Sequence, residues 1–184
     1  RSGFDYFGTH ERVWDPRALN DAGVVAGHSM PRDDPEFVWK AFRWTAEGGV
    51  QPVKPSANRR TIASDINAAG QIAGSMDWLP EGGTRAVRFE PGGGVTRLVP
   101  GTHGSYAAAL NDAGEVVGAL WNGPQRSQAF VWRPDTGAVV IDPRTGRHDD
   151  SGAQDMNGLR QVVGQMSWRD GDGNTQEAAF YRDD

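Results

Sequence analysis

Two carboxylates stand at matched places in this sequence. Asp65 opens the phrase DINAAG and Asp155 opens DMNGLR, each two residues before an asparagine, Asn67 or Asn157. If the elements carrying them face each other, two close carboxylates would share a proton, hold a cation or activate a substrate hydroxyl. Asp65 and Asp155 are therefore the candidate catalytic pair of a small enzyme performing acid/base chemistry such as cyclisation, isomerisation or hydrolysis, with His28 or Gln165 nearby. The alternative is local: an aspartate in a turn commonly accepts hydrogen bonds from neighbouring backbone amides.

Aromatic residues suggest binding instead. Trp14, Trp78, Trp121, Trp168 and Tyr106 fall at loop-proximal ends of short apolar runs, where an aromatic face with polar neighbours suits a sugar or planar small molecule. With Arg17, His28 and Gln165 they form the candidate binding set. The competing use of such rings is packing between elements, which is how Trp44, Phe89 and Trp132 read. His10, His103 and His148, the last beside Asp149 and Asp150, have zinc-type donors, but exposed loop histidines are the simpler reading, and no metal or cofactor is expected. DGDGN (Asp170 to Asn174) alternates oxygen side chains as a calcium loop does. It lacks the glycine placement and closing glutamate of that loop and reads as a turn. Arg59 and Arg60 read as a solvated pair.

What positions these groups is a repeat. ALNDAG occurs at Ala18 to Gly23 and again at Ala109 to Gly114, and DINAAG and DMNGLR are its degenerate copies. The asparagines Asn20, Asn67, Asn111 and Asn157 are 47, 44 and 46 residues apart, a period that suits a four-stranded propeller blade or a helical solenoid unit. Seven residues after each asparagine comes a glycine, ending VVAG, QIAG, EVVG and QVVG, and these β-branched runs beside an Asn/Gly turn read as hairpins. A third strand follows in AFRW, AVRF, AFVW and AFYR, and glycine-bearing turns lead to a fourth. No stretch sustains a 3.6-residue apolar period. The fourth repeat stops after its third strand, while RSGFDYFGTH precedes ALNDAG where GGVTRLVPGTH precedes the other copy. The expected fold is thus all-β, a four-bladed propeller of four-stranded antiparallel blades. Its blades run over approximately 14–54, 61–99, 105–142 and 151–184, the last closed by an N-terminal strand at 1–8.

The pattern Asn-x-x-Gly-x-(Val/Ile)-(Val/Ala)-Gly followed by Ala-Phe-x-Trp resembles the bacterial extracellular HAF repeat family, named for a His-Ala-Phe signature. The resemblance covers essentially the whole chain, with the signature histidine replaced by Lys40, Arg85, Gln128 and Ala178. It implies a propeller-like repeat protein, often exported, with no common activity to carry over.

Composition narrows the partners. The chain has 184 residues, 37% of them hydrophobic, a net charge of −5 and no cysteine. One domain with its own core is expected, and disulfides and thiolate metal sites are excluded. No basic stripe exists to neutralise phosphates and no apolar run is long enough for a membrane helix, so neither nucleic acid nor membrane is an expected partner. GxSxG and HExxH are absent. The leading expectation is a monomeric, rigid propeller that binds a carbohydrate, another small molecule or a protein through its top-face loops and channel mouth.

Overall fold

The computed structural model describes residues 11–32, 38–54, 59–78, 82–123, 126–141 and 148–183, with the backbone alone for Glu11, Arg12, His148 and Asp149. Among the described residues every regular element is a β-strand. Blade 1 comprises β1 (Glu11–Leu19), β2 (Val25–Pro31), β3 (Lys40–Thr45) and β4 (Gly49–Pro52); blade 2 comprises β5 (Thr61–Ile66), β6 (Ile72–Asp77), β7 (Thr84–Phe89) and β8 (Val95–Arg97). Blade 3 comprises β9 (Gly104–Leu110), β10 (Val116–Trp121), β11 (Ser127–Arg133) and β12 (Gly137–Val140). Blade 4 comprises β13 (His148–Met156), β14 (Val162–Arg169) and β15 (Thr175–Arg182). Within each blade the strands are antiparallel and in sequence order, the meander read from the repeat. The strand expected at residues 1–8 lies outside the described residues.

The first strand of each blade carries one extra residue, Arg17, Ser64, Ala108 or Gln154, at the same offset before the repeat asparagine. This β-bulge bends the strand toward its partner. The bend presses the carbonyl oxygens of Asp15, Ile62, Tyr106 and Gly152 onto Gly27, Gly74, Gly118 and Gly164, where a Cβ would collide with them. The repeat glycine is therefore set by close backbone approach.

The asparagine has two tasks. Its Oδ1 accepts the N–H four residues on, from Val24, Gln71, Glu115 and Gln161 at 3.0, 2.9, 3.0 and 3.1 Å, which closes its own turn. Its Nδ2 reaches the next blade: Asn20 donates to the Asn67 carbonyl at 3.0 Å, Asn67 to that of Asn111 at 3.1 Å, and Asn111 to that of Asn157 at 3.5 Å. The glycine ending each phrase is left-handed, with φ of 75° at Gly23 and Gly70 and 74° at Gly114. Blade 4 places Arg160 there at φ 67°, and its guanidinium lies 3.0 Å from the buried Glu115 of blade 3. This ion pair offsets the strain of a left-handed non-glycine residue.

A second tie repeats deeper in the fold. The hydroxyls of Thr61, Ser105 and Ser151 accept the N–H of Ala41, Ala86 and Ala129 on the preceding blade at 2.8, 2.9 and 2.9 Å. Around these ties lie three apolar cores, one at each blade junction. Ala26 and Ala41 pack with Ile66, Ile72 and Phe89; Ala73 and Leu98 with Leu110, Phe130 and Trp132; and Val117 and Val131 with Met156, Val162 and Phe180. Phe89 and Trp132 thus pack between blades as expected. Blade 2 packs on blade 1, blade 3 on blade 2 and blade 4 on blade 3, whereas among the described residues no comparable packing joins blade 4 to blade 1.

Candidate functional site

A cleft of about 510 Å³ opens beside blade 4. Its walls come from the first strands of blades 3 and 4 (Tyr106; Ser151, Gly152 and Gln154), from β11 (Ser127), and from β14 and β15, including Gln165, Ser167 and Glu177. Tyr106, on the edge of the cleft, is 38% exposed, and burial of its remaining surface pushes the phenol above its ordinary pKa, so it stays protonated at neutral pH. Its ring stands against Trp121 with centroids 6.5 Å apart, and the Trp121 indole lies over Gly104, where a Cβ would collide with the indole ring. Asp150 is anchored at the mouth: one carboxylate oxygen accepts the Ser127 backbone N–H at 2.7 Å and its hydroxyl at 2.9 Å. Gln154, the bulge residue of blade 4, donates to Gln165 at 3.2 Å. Among the described residues no lysine, arginine or histidine lines the cleft, and the polar surface they give it is made of hydroxyls, amides and carboxylates around one aromatic ring.

Of the residues singled out from the sequence, Tyr106 and Gln165 are brought together in this cleft, with Trp121 behind Tyr106. The others are dispersed. Trp14 packs edge-on against Phe42, centroids 5.0 Å apart. The Arg97 guanidinium lies 5.1 Å above the Trp78 ring, which packs against the core between blades 1 and 2. Trp168 is half-buried on β14, and Arg17 lies 3.6 Å from Asp15. Ser127, Asp150, Gln154, Ser167 and Glu177 were not singled out as binding residues. Gln154 carried a signal in its offset from Asn157, which marks the bulge, and Asp150 was named only as a neighbour of His148.

Asp65 lies away from this cleft, in a shallow hollow of about 260 Å³ formed by the asparagine turns, with Asn20, Asn67, Asn111 and Met156. One of its oxygens accepts the Ile66 N–H at 2.8 Å and the other the Leu110 N–H of blade 3 at 2.9 Å. Burial raises its pKa, those two amides oppose the rise, and the charge of Asp155 adds to it. Asp155 accepts the Met156 N–H at 2.8 Å. The Asp155 charge thus acts on Asp65, whose carboxylate holds two backbone amides while that of Asp155 holds one. Among the histidines, His10 and the side chain of His148 lie outside the described residues, and His103 is exposed. Among the described residues no cluster of three His, Asp or Glu side chains has metal-site geometry. DGDGN forms the β14–β15 turn, with Asp170 accepting the N–H groups of Asp172 and Asn174 at 3.0 and 2.9 Å.

His28 is only 7% exposed and bridges two blades, Nδ1 lying 3.2 Å from the Ala63 carbonyl of blade 2 and Nε2 3.2 Å from Asp15. Acceptors at both nitrogens favour the imidazolium, but burial outweighs them and holds the pKa below its ordinary value, with Asp15 and the Ala63 carbonyl opposing and Arg17 and Arg60 assisting. The unfolded chain therefore binds this proton at a higher pH than the folded one, so stability falls as the pH drops below about 6.5. Thermal melts from pH 8 to pH 5 are expected to show this loss, with His28→Gln flattening it and Asp15→Asn steepening it; identical profiles for all three would refute the assignment.

These blades, meandering outward and stacked face to face, are those of a β-propeller. No family model and no curated protein matches the sequence. Solved structures do. TolB from Acinetobacter baumannii superposes with a TM-score of 0.57 over 91% of this chain and 43% of its own, at 14% identity. A streptogramin B lyase gives 0.50 over 93% and 56% at 12% identity, and a puromycin hydrolase 0.62 over 94% and 27% at 16% identity. The shared feature is the fold, and the chain spans from about a quarter to just over half the length of these proteins.

Proposed function

We propose that this chain is a binding module, related to the HAF repeat proteins and exported like many of them, that holds a small hydroxyl-rich molecule such as a carbohydrate in the cleft beside Tyr106. The observation that carries this reading is the lining: an aromatic face on one edge and a band of hydroxyl, amide and carboxylate groups opposite, with no cationic side chain among the described residues that form it. Hydroxyl-rich guests donate to carboxylates and amides while their C–H faces lie on an aromatic ring. The propeller neighbours are consistent with a scaffold that binds or transforms molecules. The acid/base alternative draws less support, because both oxygens of Asp65 are engaged by backbone N–H groups.

Saturation-transfer NMR against a panel of neutral, acidic and basic oligosaccharides tests the reading, followed by calorimetric titration of the best ligand. Tyr106→Ala is expected to weaken binding at least about tenfold, and Glu177→Gln by several-fold, both with unchanged circular dichroism. Binding that survives both substitutions would move the site elsewhere. Turnover of the ligand abolished by Asp155→Asn would establish the enzymatic alternative.

A further inference from the structure

Each blade has a leading face, turned to the blade before it, and a trailing face, turned to the blade after. Position by position, the trailing face of blade 4 is built like those of blades 1 to 3. Val163 occupies the place of Ala26, Ala73 and Val117, all fully buried at a junction, yet it is 45% exposed. Ala179, in the place of Ala41, Ala86 and Ala129, is likewise exposed, although its three counterparts are buried. The polar groups persist as well: Asn157 matches the asparagines whose Nδ2 reaches the next blade, and Asp155 matches Asp65, whose carboxylate takes the Leu110 N–H of the next blade.

Blade 1 shows the reciprocal half on its leading face. Leu19 occupies the place of Ile66, Leu110 and Met156, each at least nine-tenths buried at a junction, but is 67% exposed. Its backbone N–H corresponds to that of Leu110, and the Asn20 carbonyl to the carbonyls of Asn67 and Asn111 that receive the inter-blade bonds. The residue in question alternates Ala18, Asp65, Ala109, Asp155 along the chain, so joining blade 4 to a blade 1 continues the alternation unbroken. The hydroxyl tie is the exception: Trp14 stands where Thr61, Ser105 and Ser151 stand and packs on Phe42 instead.

We infer that the trailing face of blade 4 is a docking surface for the leading face of blade 1 of a second copy of this chain, the two copies joining head to tail, twice, into one ring. The inter-blade interface already present three times supplies the geometry, and among the described residues the chain's own blade 1 makes no comparable packing against blade 4. A heterologous contact that closes after two copies satisfies both uncovered faces at once. Gln165 and Ala179 line both this face and the cleft, so the second copy becomes a further wall of that cleft. The assembly is read from mass, whether or not the cleft holds a ligand.

The test uses sedimentation equilibrium over about 1–100 μM chain, a range that detects dissociation constants near micromolar. The wild-type chain is expected at twice the monomer mass. Val163→Asp and Leu19→Asp, each at an exposed position, should each give a folded monomer by circular dichroism. An equimolar mixture of the two variants should recover dimer, because one of its two joints then contains both unaltered faces. A wild-type monomer throughout, a dimer indifferent to either substitution, or a mixture that stays monomeric would each overturn the head-to-tail assembly.

Discussion

Gly118→Ala is expected to unfold the protein or cost it about 3 kcal/mol or more, read from the midpoint of a urea transition. The added methyl would enter the space held by the Tyr106 carbonyl oxygen and would stand 3.0 Å from Ala107 Cα, and both obstacles are backbone. Neither can turn aside as a flexible side chain does, because the bulge at Ala108 fixes β9 against β10. The same methyl at Gly23 provides the contrast. There nothing lies within 4 Å and only the left-handed φ of +75° opposes it, a cost of about 1 kcal/mol. Equal effects at the two positions would show that the bulge does not press its carbonyl onto the glycine.

Ser105→Ala ranks next. Its hydroxyl is fully buried and accepts the Ala86 N–H from blade 2 at 2.9 Å, so the substitution leaves a backbone donor without water or partner at the centre of a junction. The expected loss is about 1–3 kcal/mol. Ser105→Thr is expected to retain most of the stability, because Thr61 performs the same task between blades 1 and 2. Should Ser105→Ala melt like the wild type, the hydroxyl tie would be incidental to blade packing. The pair of substitutions separates the lost acceptor from the changed side-chain volume.

Much of the architecture was legible because the repeat places the same physical demand four times. The asparagine, the glycine after it and the apolar strand were readable as a turn and a hairpin, and each strand order follows that reading. The reason for the letters was less visible. That Asn67 both closes its own turn and reaches the Asn111 carbonyl is a contact between residues 44 apart, which local pattern cannot express. The repeat glycine looked like hairpin chemistry, whereas it answers to a carbonyl pushed forward by a bulge on the neighbouring strand.

The candidate site divides in the same way. Residue type marked Tyr106 and Gln165, and both reach the cleft because repeat position sends Tyr106 to the first strand of blade 3 and Gln165 to the second strand of blade 4. Residue type also marked Trp14 and Trp78, and there it misleads about surroundings: a tryptophan at a strand end meets Phe42 or Arg97 only once the strands of its own blade have paired. The aspartate pair shows the limit most directly. Sequence placed Asp65 and Asp155 at one register of two blades, and the charge of Asp155 does reach Asp65; the two amides that hold Asp65 come from Ile66 and from Leu110 of another blade.

By itself, then, the sequence determined the strand, the turn and the blade, since these depend on alternation, on left-handed glycine and on side chains that bond within a few residues. Only the tertiary structure decided which faces are covered, which carboxylates are held by amides and where a cleft opens. Those properties arise from the stacking of one blade on the next, and so from contacts between residues one whole repeat apart.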